Sequence, residues 1–82
     1  MLDPKQLVWR CRRGVRELDV LLDSYLNSKY LHLDTIEKQA FERLLDEQDP
    51  IIMDWLFDKS KPEDEGICNI INQLKELSGL TS

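Results

Sequence analysis

Apolar residues recur at helical spacing along most of this 82-residue sequence. The second predicted helix, from about Arg16 to Asn27, shows the pattern most clearly. Its apolar residues follow the i, i+3, i+4, i+7, i+8 spacing of an amphipathic helix. They are Leu18, Leu21, Leu22, Tyr25 and Leu26. No Asn-Gly or Asp-Gly hairpin signal interrupts the chain, so the pattern predicts an all-α fold.

The first predicted helix begins at Asp3-Pro4, where an N-cap aspartate precedes a proline suited to the first helical position. Gly14, the only glycine before Gly66, separates this helix from the second and exposes backbone at the joint. At ~100° per residue, Trp9 lies roughly 150° from the middle of the apolar stripe. We therefore expect Trp9 to face a partner, with packing on a neighbouring helix edge as the alternative. The stripe consists of Leu7, Val8 and Cys11.

Three further helices complete the prediction. Asp34 and Glu37 form a capping-box pattern that begins the third. Asp49-Pro50 repeats the N-cap and proline signal and begins the fourth, while the fifth begins near residues 62–63 and ends at Gly79. The whole chain is thus one domain, residues 1–82, a small bundle of five short helices. The apolar faces are Ile36, Ala40, Phe41, Leu44 and Leu45 in the third helix, Ile51, Ile52, Trp55 and Leu56 in the fourth, and Ile67, Ile70, Ile71, Leu74 and Leu77 in the fifth. Trp55 and Leu56 are expected in the core.

The composition favours an ordered globular protein without membrane insertion. Hydrophobic residues make up 41% and charged residues 33%, which is ordinary for a folded domain. No apolar run approaches the length of a membrane span, and the N-terminus has no signal-peptide pattern. We expect a monomer in a bacterial cytoplasm, with a processed mitochondrial form as the alternative.

Enzyme signatures are missing from the sequence. It contains no GxSxG, phosphate loop, GxGxxG or HExxH, so we expect no catalytic residues and no stably bound cofactor. His32 has no neighbouring ligand, which argues against a metal site. Cys11 and Cys68 are interpreted as small core hydrophobes rather than functional thiols.

Charge is distributed unevenly along the chain. The net charge is -5, yet residues 5–17 hold five cations and one carboxylate, whereas residues 18–82 hold six cations and fourteen carboxylates. Such an acidic remainder disfavours nucleic acid as a partner, because duplex binding favours a broad cationic surface. Arginines beside a tryptophan and an exposed glycine are typical of a protein interface. The predicted partner-binding residues are Trp9, Arg10, Arg12, Arg13, Gly14, Arg16, Glu17 and Asp19.

The segment Arg13-Gly14-Val15-Arg16-Glu17 has the form RGxxE, and it extends to Trp9-x-Cys11-Arg12 upstream and Leu18-Asp19 downstream. With these elements the chain resembles the small bacterial succinate dehydrogenase assembly factors and their mitochondrial relatives, which assist FAD attachment to flavoprotein subunits. The resemblance covers most of the chain. It includes three further elements: Phe41-x-x-Leu44-Leu45, Asp49-Pro50 and Trp55-Leu56.

The resemblance implies a five-helix factor that binds the flavoprotein subunit of succinate dehydrogenase, with the flavoprotein subunit of fumarate reductase as a second candidate client. The factor would promote covalent attachment of FAD to that subunit, and the client would carry the attachment chemistry. Glu17 either acts near the accepting histidine or serves only to dock the client. An antitoxin-like role or a small nucleic-acid-binding regulator is the alternative function.

Overall fold

A computed structural model of the chain describes residues 3–79. Its five α-helices confirm the predicted all-α class, and no strand occurs within the described residues. A 3-10 turn, Tyr30–His32, follows the second helix. The helices are α1 (Pro4–Cys11), α2 (Arg16–Ser28), α3 (Thr35–Leu45), α4 (Asp49–Leu56) and α5 (Glu65–Ser78).

Side-chain caps set several of the helix ends. Asp3 is the N-cap of α1 and Asp34 forms a capping box with Glu37, as predicted. Asp3 also forms a capping box, with Gln6, which was not predicted. Asp64 caps α5 by accepting the N–H groups of Gly66 and Ile67, so this helix begins about two residues later than predicted. Gly79 ends α5 with φ of 77°, a left-handed conformation that glycine adopts without steric cost.

The core is centred on Phe41 of α3, which is fully buried. Its ring stacks on Tyr25 with centroids 5.0 Å apart and lies 5.5 Å from Tyr30. The Tyr25 hydroxyl donates to Gln73 Oε1 at 2.7 Å, linking α2 to α5, and burial raises the pKa of Tyr25. Together these contacts join three helices around one aromatic cluster.

Cys11 is 1% exposed at the end of α1, and burial raises the pKa of its thiol to about 11. The thiol is therefore protonated near neutral pH, in agreement with its interpretation as a core hydrophobe. Cys68 is only partly buried, and both cysteines are free.

Several residues assigned to apolar faces lie at the edges of those faces instead. Ile36 is 74% exposed and Val8 44%, whereas Trp55 is half-buried against the core. At ~100° per residue, Val8 and Trp55 lie roughly 80°, and Ile36 roughly 110°, from the middle of the buried side chains of their helices. At such angles a side chain is covered only where a neighbouring helix packs over it. Of the two residues expected in the core, Leu56 is buried, whereas Trp55 packs against the core and is only partly buried. In α4, Ile51 is also 39% exposed, and in α5 Leu77 is 37% exposed.

Candidate partner-binding site at the α1–α2 connection

Residues 12–15 join α1 to α2 and form the α1–α2 connection. Gly14 is exposed in it. A Cβ added to Gly14 would meet its nearest neighbour, Asp49 Oδ2, at 3.9 Å, an ordinary contact distance, and its φ is not in the left-handed region. Neither crowding nor backbone conformation therefore demands glycine at this position.

Arg13 links the connection to the C-terminal end of α3 through hydrogen bonds. Its guanidinium donates to the carbonyl oxygens of Glu47, at 3.0 Å, and of Leu45. Carbonyls at a helix C-terminus lack partners within the helix, so a cation there is favourable both as a donor and toward the helix dipole. The Arg13 side chain is only 13% exposed. It was predicted to contact a partner, but most of it lies inside the fold.

Asp49 of α4 contacts the same connection from the other side. Its Oδ1 lies 3.3 Å from Arg13 Nη1, and its Oδ2 accepts the Gly14 N–H at 3.2 Å. The prediction that Asp49 caps α4 was wrong: Gln48 is the N-cap residue, without a side-chain cap bond, and Asp49 is the first helical residue. From this first helical position the carboxylate bonds to Arg13 and Gly14 of the connection rather than to an N–H of its own helix.

The side chains of α1 that precede the connection face outward. Trp9 is 73% exposed, as its helical position predicts. The Arg12 guanidinium carbon lies 5.8 Å from the centroid of the Trp9 ring, within cation–π range. Arg10 forms an exposed ion pair with Asp46 at the C-cap of α3. Trp9 and Arg12 thus form an accessible aromatic and cationic pair.

Beyond the connection, Arg16 and Glu17 are exposed in the first turn of α2, and Asp19 is partly buried. Glu17 and Asp19 lie near the positive end of the α2 dipole, where carboxylates are stabilising. Six of the eight predicted partner-binding residues are accordingly exposed, and the other two, Arg13 and Asp19, are partly buried.

Arg16 and Glu17 also border a groove of about 550 Å³ between α2, α4 and α5. Two of its apolar side chains are more than half exposed, Val20 at 58% and Phe57 at 52%. The sequence analysis did not identify this groove. Val20 and Phe57 lie outside the apolar faces from which the helices were predicted. An apolar residue outside such a face was the one sequence signal that could have indicated the groove. Its apolar lining consists of Leu18, Val20, Leu21, Met53, Leu56, Phe57 and Leu77.

Within residues 3–79, no cluster of three or more His, Cys, Asp or Glu side chains is arranged to hold a metal ion. None of the helices in that range combines the length and apolar character needed to cross a bilayer. The described residues thus form a small five-helix protein in which exposed Trp9 and Arg12 precede, and exposed Arg16 and Glu17 follow, the Arg13–Gly14 backbone held by Asp49.

Comparison with known proteins identifies the family. The chain belongs to the family described as "Flavinator of succinate dehydrogenase", whose sequence profile matches residues 5–78. The protein "FAD assembly factor SdhE" of Coxiella burnetii is 40% identical over 77 residues, covering 94% of each chain. The protein of that name from Methylococcus capsulatus is 42% identical over 74 residues, or 90% of this chain and 89% of its own. The one from Acinetobacter baylyi is 34% identical over 74 residues, or 90% and 87%. These findings confirm the resemblance noted from the sequence.

Proposed function

We propose that this protein binds the flavoprotein subunit of succinate dehydrogenase and promotes covalent attachment of FAD to it. The observation that carries the proposal is membership of the flavinator family over nearly the whole chain. The α1–α2 connection supports it, because an exposed Trp9–Arg12 pair beside an exposed glycine has the composition of a protein-binding hot spot.

In this proposal the small protein positions its client rather than making the bond. Attachment breaks a C–H bond of the flavin 8α-methyl group and the N–H bond of a client imidazole, and it forms a bond between that carbon and that nitrogen. The isoalloxazine ring takes up the electron pair and the two protons and is left as reduced flavin, so the step needs no group outside the client complex. Exposed arginines at positions 12 and 16 would pair with client carboxylates, and Glu17 would pair with a client cation. Holding the client in one arrangement lowers the entropic part of the barrier without any bond to this chain.

The proposal is tested by producing the client subunit with and without this protein in cells that lack any homologue. Covalent flavin is read as in-gel fluorescence of the denatured subunit and as added mass. Client that is flavinylated and co-purifies with the factor supports the proposal. Equal flavinylation without the factor would overturn it. The same comparison with the flavoprotein subunit of fumarate reductase decides whether that protein is a client too.

The isolated protein is expected to bind FAD no more tightly than about 1 μM, because it offers an open apolar groove and no glycine-rich phosphate cradle. Titration of FAD followed by flavin fluorescence and calorimetry measures this directly. A dissociation constant well below that value would mean that the protein delivers the flavin itself, and the positioning mechanism would have to be replaced.

Glu17→Gln is expected to weaken the client complex about tenfold while leaving flavinylation complete at saturating factor. The change keeps the size of the side chain but removes its charge, so an ion pair with the client is lost. Glu65→Gln is a matched control, since Glu65 is likewise exposed in the first turn of its helix. Normal binding together with absent flavinylation at saturation would instead show that Glu17 acts in the attachment step.

A further inference from the structure

Asp49 is 35 residues from Gly14 in sequence, yet its carboxylate joins two consecutive residues of the α1–α2 connection. Oδ1 pairs with the Arg13 guanidinium and Oδ2 accepts the Gly14 N–H, so each oxygen has its own donor. The Asp49 side chain is 21% exposed and that of Arg13 is 13% exposed. This ion pair is therefore partly removed from water, unlike the exposed pair of Arg10 and Asp46.

The connection is thereby held by two elements at once. Arg13 reaches the final carbonyls of α3, and Asp49 of α4 completes the contact by neutralising the guanidinium. In residues 3–79 the Nε of Arg13 is buried without a hydrogen-bond partner. Without Asp49, the Arg13 guanidinium would lack a counter-charge as well as a partner for its Nε. Loss of one partner of a poorly solvated ion pair is costly.

We propose that Asp49 is a positioning residue for client binding: it holds the Arg13–Gly14 backbone in the orientation that presents the flanking side chains. This inference rests on the proposed function. Trp9 and Arg12 precede the pinned backbone, and Arg16 and Glu17 follow it, so its conformation sets how the two groups are oriented toward one partner. A surface already ordered before binding loses less conformational entropy in the complex.

The competing interpretation is that Asp49 contributes only to stability. Asp34→Ala separates the two, because Asp34 caps α3 and its removal destabilises the fold without touching the connection. A second control is Asp58→Asn, which removes the exposed carboxylate paired with Lys75. Asp58 has φ of 61°, and asparagine tolerates that conformation, so this change is confined to the charge.

The test compares Asp49→Asn with these controls. An asparagine amide has one accepting oxygen where aspartate has two, and its NH2 group would face a donor. In the same geometry it therefore cannot accept from both Arg13 and the Gly14 N–H. We expect the dissociation constant for the client subunit to rise about tenfold, which corresponds to a loss of about 1.4 kcal/mol of binding free energy. Saturating factor should restore full flavinylation. Asp34→Ala should bind the client as tightly as the unmodified protein does, even if its melting temperature falls as much as that of Asp49→Asn.

A spectroscopic signature tests the contact apart from the client. The chain has three glycines, so the Gly14 amide is readily assigned by NMR. Asp49→Asn should shift this amide resonance and speed its hydrogen exchange, whereas Asp34→Ala and Asp58→Asn should leave it unchanged. Should Asp49→Asn lower the folded fraction, Asp49→Ser keeps a short polar residue at the start of α4, and binding is then expressed per folded molecule.

The outcomes are separable. If the unmodified protein binds no flavoprotein subunit, the proposed function is overturned, and this inference with it. If the unmodified protein binds and Asp49→Asn binds equally well, only the role of Asp49 is overturned. An unchanged Gly14 amide in Asp49→Asn, or an equal loss of binding in Asp34→Ala, likewise overturns the positioning role.

Discussion

Phe41→Ala is expected to lower the free energy of unfolding by about 3–5 kcal/mol, the usual cost of truncating a buried aromatic side chain. Phe41 is fully buried, and both Tyr25 and Tyr30 lose their ring partner when it is removed. At roughly 0.05–0.15 kcal/mol per residue, an 82-residue domain has about 4–12 kcal/mol of stability, so the variant should lose a large part of it. Urea denaturation followed by circular dichroism measures the difference.

Trp55→Ala provides the comparison within the same protein. The hydrophobic spacing predicts Trp55 in the core, where its loss would cost as much as that of Phe41. Because the side chain is instead half-buried, the expected cost falls below about 3 kcal/mol, since the burial term scales with the area removed from water. If Trp55→Ala and Phe41→Ala lower the free energy of unfolding equally, the exposed fraction of a side chain does not determine its contribution to stability here.

Hydrophobic spacing located the helices because a buried face repeats with the period of the helix. It was less informative about the edges of those faces. Ile36, Val8 and Trp55 lie beside a buried stripe, and whether such a residue is covered depends on which helix packs there. That information is tertiary and is not contained in the spacing. The caps at Asp3, Asp34 and Gly79 were predictable because their partners lie within the same turn.

The features of the candidate site likewise fall into those that local sequence predicts and those that depend on tertiary contacts. Local charge and the helical position of Trp9 are properties of the sequence, and both point to the α1–α2 connection. The inward turn of Arg13 and the redirection of Asp49 did not follow from sequence, because each depends on residues more than thirty positions away. The local pattern Asp49-Pro50 predicted a helix start with Asp49 as its cap, and it contained no information about Arg13 or Gly14. In the fold the same carboxylate bonds to the Arg13 guanidinium and the Gly14 N–H, which belong to a distant part of the chain.

Gly14→Arg is expected to abolish detectable client binding while changing the free energy of unfolding by no more than about 0.5 kcal/mol, as for other exposed substitutions. The backbone there has an ordinary φ, and a Cβ would have its nearest neighbour at 3.9 Å, so the fold accommodates a side chain. A long cationic side chain at the centre of the proposed contact would hold the client backbone away.

The contrasting variant is Gly66→Ala in α5. A Cβ at Gly66 would lie 2.9 Å from the Cβ of Ala40, too close for α3 and α5 to keep their separation. We therefore expect Gly66→Ala to lower the melting temperature more than Gly14→Arg does, although it adds far fewer atoms. Pull-down of the client and thermal denaturation of both variants distinguish a loss of client binding at the surface from a loss of stability through packing. If Gly14→Arg loses both folding and binding, the α1–α2 connection is a structural hinge, and the client contact must be sought elsewhere, with the groove beside Glu17 as the next surface to test.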